Sequence, residues 1–240
     1  MANLSVASVC DLLEHGEVEL KGQFMLGSNY TFLVTVRHAG EELAAVYKPT
    51  RGEQPLWDFP PASLTRREAA AWLLSEALGW ELVPPTVLRA DGPYGPGSLQ
   101  RYIDYNPNHH YFNFKPADRQ RLQPVALFDL LANNADRKGS HVFFQKRTRH
   151  LYAIDHGLCF HAEDKLRTVI WDFAGQPFPA ELLDRLRSLQ EEFEPLASGL
   201  ADLLTPGELE ALKQRLNDLL NKPVYPSAPE DRRAFPYPPL

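Results

Sequence analysis

Ala135-Asp136-Arg137-Lys138-Gly139-Ser140-His141, followed shortly by Tyr152-Ala153-Ile154-Asp155-His156-Gly157-Leu158, sets two aspartates beside two apolar runs. Val142-Phe143-Phe144 follows the first motif and Leu151 to Ile154 leads into the second. Each run has the length and residue types of a short buried strand. The aspartates lie 155 − 136 = 19 residues apart, a separation that suits a hairpin returning the second carboxylate to the first. Two carboxylates at one end of a hairpin suit chemistry that handles a proton and a metal. In phosphoryl transfer one carboxylate orients or deprotonates the attacking group and the other holds a metal on the phosphates.

Working outward, 240 residues allow one large domain or two small lobes. A hydrophobic fraction of 44% is enough for an ordinary core. A net charge of −6 argues against nucleic acid as a partner, since that needs a basic face to displace counterions. Cys10 and Cys159 are too few for a disulfide framework and match a reducing cytosol, so a cytoplasmic location is expected. No apolar run approaches the roughly 20 residues of a membrane span, and no basic-then-apolar leader opens the chain.

Before the aspartates the pattern is strand-rich. Ser5 to His15 carries a helical stripe with a Ser cap, and Glu19 to Leu26 and Tyr30 to Arg37 alternate as strands around a Gly27-Ser28-Asn29 turn. Leu43 to Tyr47 is a third strand, ending in Lys48. Leu64 to Leu78 reads as a helix, capped by Thr65, with Glu68 in its first turn and Gly79 as its stop. Val87 to Arg89 and Ser98 to Ile103 are further strands. After Asp104 come a crossover segment over 104–118, a helix over Arg119 to Ala132, the two-aspartate hairpin, and two helices over 180–221 broken near Thr205-Pro206-Gly207. Lys222 to Leu240 holds 6 of the 21 prolines and reads as an extended tail.

Lys48 ends a strand and Glu68 opens a helix 68 − 48 = 20 residues on. A lysine held by a helical glutamate is how kinases position phosphates. Taken singly, both would be ordinary surface charges. Their order, ahead of D-R-x-x-x-H and I-D-x-G, makes them a site. Gly27, Ser28 and Asn29 form a turn whose amides could cradle phosphate oxygens, although a hairpin turn needs Gly and Asn for backbone reasons as well. No G-x-x-x-x-G-K-[ST] is present, so this is not a P-loop. The histidines at 141, 156 and 161 lack the H-x-x-x-H or H-x-H spacing of a metal hydrolase.

The stretches V-Y-K-P (46–49), R-E-A-A-A-W-L-L (67–74), L-V-P-P-T (82–86), G-S-L-Q-R-Y-I (97–103), N-A-D-R-K-G-S-H (134–141) and A-I-D-H-G-L-C-F (153–160) resemble the phosphatidylinositol 3- and 4-kinase superfamily. Within it they most resemble the type II phosphatidylinositol 4-kinase branch, along with small kinase-like proteins of bacteria. HipA-type kinases are more distant. The resemblance implies an α+β, protein-kinase-like two-lobed fold with a minimal C-terminal lobe. Residues 1–221 would form one domain, with an N-lobe to about 103, a C-lobe over 104–221 and a Pro-rich tail over 222–240. It implies that Lys48 contacts the α-phosphate and pairs with Glu68, that Gln100, Arg101 and Tyr102 form the adenine-binding hinge, that Asp136 is catalytic, that Arg137 supports the loop, and that Asp155 is the principal metal ligand.

The expected activity is ATP- and divalent-metal-dependent phosphoryl transfer to a hydroxyl on a protein or small molecule. The alternatives are transfer of AMP on the same fold, or a catalytically weak pseudokinase acting as a regulatory module. One position departs from the family. Where it usually has Asn as second metal ligand, this chain has His141. Imidazole suits softer metals than Mg²⁺ does, so His141 points towards Mn²⁺ as the alternative cofactor. The segment Phe160 to Thr168 is mixed in charge, which makes a lipid acceptor less expected.

Overall fold

The structure, a computed structural model, describes residues 4–24 and 30–240. The fold is α+β, and it splits the way the composition does, with a sheet first and helices after. Five antiparallel strands form one sheet in the order β1-β2-β3-β5-β4: β1 (Glu17–Gln23), β2 (Phe32–His38), β3 (Glu41–Pro49), β4 (Thr86–Gly92) and β5 (Gly95–Arg101). The expected Gly27-Ser28-Asn29 turn lies outside the described residues. Helix α1 (Val6–His15) begins at the anticipated cap, where Ser5 Oγ accepts the Ser8 amide at 3.1 Å. Its Val9, Leu12 and Leu13 pack on Val34, Val36, Ala45 and Leu99 of the sheet as a small core. Each such side chain contributes about 1.5–3 kcal/mol by leaving water.

The second, larger core is built by α4 (Gln123–Ala132), the hairpin β6 (Val142–Phe144) and β7 (Leu151–Ala153), and α5 (Ala180–Glu191), α6 (Phe193–Leu200) and α7 (Pro206–Asn221). Helix α2 (Leu64–Ala77) belongs to this core, although it precedes β4 and β5 in sequence. Ala70, Ala71, Leu74 and Leu78 are buried among the later helices. So the helix that carries Glu68 is held by the helical half of the molecule.

Several local expectations are corrected. Thr65 does not cap α2, because it lies inside the helix. The Glu53 carboxylate accepts the Leu64 and Thr65 amides at 3.2 and 2.9 Å and does the capping from the preceding loop. The helix expected over 119–132 is two, α3 (Pro116–Gln120) and α4. Pro124 has no N–H to donate and so falls in a first turn, not in mid-helix. The 180–221 region is three helices, with an added break at Glu192 just before Pro195. The break at 205–206 is where expected, with Thr205 and Glu208 forming a reciprocal capping box.

Residues 222–240 run as an extended strap over the helical half. The Tyr225 amide bonds Gln176 O at 3.0 Å and its hydroxyl bonds Gln123 O at 2.9 Å. Arg232 then grips Leu166 O and Asp164, both at 2.7 Å, and the Ala234 carbonyl accepts the Thr168 amide at 3.1 Å.

Ser75, fully buried on α2, accepts the amides of Leu82 and Val83 at 2.9 and 3.2 Å and so fixes the turn into β4. Ser75→Ala leaves two buried donors unpaired and is expected to lower stability by about 1–3 kcal/mol, read from urea denaturation midpoints at constant m.

Candidate active site

Lys48 stands at the C-terminal end of β3, where the strand hands over to a short 3₁₀ turn at Thr50–Gly52. Its ammonium bonds Glu68 Oε1 from α2 and Asp155 Oδ1, the latter at 2.9 Å. Three separate segments therefore converge on one amine: a strand, a helix and the residue after β7. Burial alone would lower the Lys48 pKa, but Asp155 and Glu68 outweigh it and raise it, so the amine stays charged. Glu68 is almost fully buried and uses its other oxygen to accept the His156 amide at 3.0 Å. The helix carboxylate thus touches both the strand lysine and the backbone just after Asp155.

Asp155 presents 47% of its side chain to the cleft. Burial works against its charge, but Lys48 and then His141 hold its carboxyl well below the usual range. Its backbone sits at φ +62°, a left-handed conformation that a non-glycine residue adopts at some cost and that recurs at functional positions. Asp155 Oδ2 lies 3.2 Å from His141 Nε2. His141 Nδ1 accepts the Lys138 amide at 3.4 Å, which leaves Nε2 as the protonated, donating nitrogen. Burial pushes the His141 pKa down to about 4, so the ring is neutral near pH 7.

Asp136 opens the loop between α4 and β6. Its own amide bonds Asn134 Oδ1 at 2.9 Å, an Asx turn that sets the loop's direction. Its carboxylate lies 3.2 Å from Lys138 Nζ. Burial first, with a contribution from the charge of Asp155, raises its pKa to about 6, against the pull of Lys138. Arg137 faces the other way and is fully buried. It spans the Asp129 carboxylate with Nη2 at 2.9 Å, the Ile154 carbonyl at 2.7 Å and His156 Nε2 at 2.8 Å. The resemblance assigns Arg137 to support of the loop, and these bonds tie the loop before β6 to the residues after β7. Asp129 is equally buried and also accepts from Asn134. Neither Asp129 nor Asn134 was singled out from sequence. Asp129 was visible only as a charge on the apolar face of the α4 pattern.

The hinge expectation needs adjustment. Gln100 is buried on β5 with its amide on Thr86 Oγ1 at 2.9 Å, and the Arg101 and Tyr102 amides are taken by Pro85 O and Ala44 O, both at 2.9 Å. These three residues line the end of the sheet, and the backbone donors of Arg101 and Tyr102 are already used within it. On the far side of the 134–141 loop, the Gly139 amide donates to Pro239 O of the strap at 2.8 Å. A side chain at 139 would strike the Phe112 ring, so only glycine allows this approach. A groove of about 680 Å³ opens there between Tyr111, Phe112 and the strap residues Phe235 and Tyr237.

Among the described residues no group of three or more His, Cys, Asp or Glu is gathered as a protein-only metal site. Asp155, half exposed and firmly ionised, with His141 beside it, suits a hard divalent cation that keeps several waters and takes its other ligands from phosphates.

No known family model matches the chain. Among solved structures, the fold is similar to the Golgi casein kinase with Mn/ADP bound (TM-score 0.61, 15% identity, 90% of this chain and 74% of that one). It is also similar to hydra Fam20 with sugar (TM-score 0.59, 15% identity, 92% and 89%) and to the Helicobacter pylori proinflammatory kinase CtkA (TM-score 0.55, 13% identity, 89% and 94%). These likenesses make the fold kinase-like, as the order of motifs implies, without singling out the phosphatidylinositol kinase branch. In sequence, Protein Rv2133c of Mycobacterium tuberculosis is 38% identical over 263 aligned residues, which cover 95% of this chain and 94% of that protein. The chain therefore belongs to the same family as Protein Rv2133c.

Proposed function

We propose that this chain is an ATP- and divalent-metal-dependent phosphotransferase that transfers the γ-phosphoryl group to a hydroxyl of a protein or small molecule. The observation that carries the proposal is the Lys48 ammonium held between Glu68 and Asp155. A charged amine fixed by a helical carboxylate suits the phosphates of a nucleotide. The half-exposed aspartate beside it suits their metal. The nucleotide-bound state of the similar Golgi casein kinase, with Mn and ADP, agrees with this reading.

The parts divide as follows. Lys48 neutralises the α- and β-phosphate oxygens, and Glu68 keeps its amine aimed at them. The adenine lies at the end of β5 near Gln100, Arg101 and Tyr102, where the Ile103 amide is the next donor along. Gly27, Ser28 and Asn29, which lie outside the described residues, would contribute backbone amides to the phosphates. Asp155 would hold Mg²⁺ or Mn²⁺, whose charge would neutralise the phosphate oxygens, and His141 would join it as a ligand by moving its proton from Nε2 to Nδ1 and giving up the Lys138 amide bond. The Asp136 carboxylate accepts the proton of the acceptor hydroxyl as the oxygen attacks. Lys138 next to it keeps that carboxylate from losing all its acidity to burial.

Residues 1–221 form the single kinase-like domain, with the N-lobe ending near 103, and 222–240 form its tail. The acidic balance of −6 speaks against nucleic acid, and the two free thiols accord with a cytoplasmic location. No helix of the described residues is long and apolar enough to cross a membrane. The mixed charge of Phe160 to Thr168 favours a protein or small-molecule acceptor over a lipid.

The deciding experiment supplies ATP labelled at the γ- or the α-phosphate, with Mg²⁺ or Mn²⁺. Transfer of the γ-label supports the proposal, and transfer of the α-label supports AMP transfer on the same fold. Tight binding with transfer of neither label supports a nucleotide-binding regulatory module. Asp136→Asn is expected to cut γ-transfer about 10²- to 10⁴-fold while leaving nucleotide affinity close to the parent's. For the parent, the active base is the carboxylate, the form above its pKa. kcat/KM should therefore be level above about pH 6 and fall tenfold per pH unit below it. A profile flat down to pH 4.5 would remove Asp136 as the base.

His141→Asn exchanges an imidazole for a hard oxygen at the metal. The ratio of Mg²⁺- to Mn²⁺-supported transfer is expected to rise about tenfold. An unchanged ratio in side-by-side assays would restrict His141 to its hydrogen bond with Asp155.

A further inference from the structure

The neighbour of Glu68 on α2 is Arg67, and the proposed chemistry does not use it. Its side chain is 1% exposed, among the largest fully buried side chains of the protein. Nη2 pairs with Glu208 Oε1 of α7, Nη1 donates to the Cys159 carbonyl at 2.6 Å, and the guanidinium lies 4.9 Å over the Phe59 ring. Glu208 is 8% exposed at its side chain. Its other oxygen accepts the Thr205 amide at 2.8 Å and hydroxyl at 3.0 Å. The pair is thus anchored at both ends, in the first turn of α2 and in the first turn of α7.

We infer that the Arg67–Glu208 pair is a latch that holds α2 where Glu68 engages Lys48, so that Arg67 and Glu208 are positioning residues for the phosphate-binding lysine. The geometry carries this in three steps. Arg67 and Glu68 are consecutive on one rigid helix, so α2 cannot carry Glu68 away from Lys48 without pulling Arg67 out of its socket. The two side chains also hold the same segment after Asp155: Glu68 takes the His156 amide and Arg67 takes the Cys159 carbonyl. That segment begins and ends in left-handed backbone, at Asp155 (φ +62°) and Phe160 (φ +68°), conformations that persist only when neighbours over-determine them. Finally, Gly157 lies next to Leu64 and Glu68, with a methyl's width between them, so α2 and the segment are immediate neighbours. An unpaired guanidinium or carboxylate in that socket is costly, so the latch holds only when both halves are present.

A simpler role as an interior fastener would also bury the pair, so the test must read the position of Glu68 directly. Carbodiimide forms an amide between a lysine and an adjacent carboxylate. In the parent it should join Lys48 to Glu68 and, separately, Lys48 to Asp155, and peptide mass spectrometry counts both products. In Glu208→Gln the 48–68 product is expected to fall about tenfold relative to the 48–155 product, in line with couplings inside one ion-pair network. Thermal melting should remain cooperative. If Glu208→Gln does not fold, Arg67→Lys carries the same test, since it keeps the charge but cannot reach both Glu208 and Cys159. A product ratio equal to the parent's in either folded variant overturns the latch.

The inference rests on the phosphotransferase proposal only for its consequence in nucleotide affinity, which should weaken about tenfold with the loss of the 48–68 product. That weakening should vanish in a Glu68→Gln background, where there is no carboxylate left to position. Additive weakening in that background also overturns the latch. A parent that binds no nucleotide defeats the phosphotransferase proposal and leaves the crosslink ratio to decide the latch alone.

Discussion

A lysine ammonium with only a fifth of its side chain exposed must have compensation for the water it loses, and Lys48 finds it in two carboxylates from distant parts of the chain. Much of the architecture serves that condition. β3 must end at Lys48, α2 must present Glu68 on the same side, and the hairpin must turn so that Asp155 faces both. With His141 neutral, the cluster of Lys48, Glu68 and Asp155 carries a net negative charge. It is stable as it stands, yet it has an exposed carboxylate edge that favours a divalent cation. A cluster that was neutral and fully closed would be only a structural ion pair. This one is open at Asp155, and the openness makes it a candidate site.

A second buried charge system holds the loop before β6. Arg137 is fully buried, yet its charge is maintained, because the carboxylate of Asp129 offsets what burial costs it. Its remaining donors go to a carbonyl and to His156, so the guanidinium holds Asp136 and Asp155 in relation to each other from below. The separation of roles is physical. A dry ion pair fixes backbone and the half-wet carboxylates above it are free to meet a ligand. Asp136, partly desolvated but not locked into an ion pair as tight as that of Arg137, keeps a proton affinity useful near neutrality.

The residues that could be read from sequence were those whose signals are local. Lys48 at a strand end, Glu68 in a helix first turn and the two aspartates flanking apolar runs each follow from a pattern of a few residues, and their order along the chain joined them. The hairpin, the sheet strands and the helix start at Thr205-Pro206 were legible for the same reason. What stayed hidden depends on partners far away in sequence. Glu53 caps α2 from a loop 65 − 53 = 12 residues before Thr65. The Arg67–Glu208 pair joins residues 141 apart. The commitment of the Arg101 and Tyr102 amides depends on which strands flank β5, and sequence periodicity does not report strand order. The place of α2 is also long-range: it is contributed by the first half of the chain, contacts β4 and β5, and buries Ala70, Ala71, Leu74 and Leu78 in the core built with the later helices.

The strap follows from the same economy. A short helical half leaves the outer side of the 134–141 loop uncovered, and its backbone there would be exposed next to the aromatic residues 111 and 112. The chain covers it with its own C-terminal residues. Proline suits this role, since it holds an extended path without demanding strand partners of its own. Three chain segments then lie side by side, with Arg137 of the 134–141 loop paired to residues 167–169 and these to Ala234. The last bond runs from Gly139 to Pro239 and returns the strap to the loop that carries Asp136. Motion of the strap is therefore coupled to the backbone three residues from the candidate base. The groove between Phe112 and Tyr237 has one wall from the catalytic half and one from the tail, so its width is set by how the tail is seated.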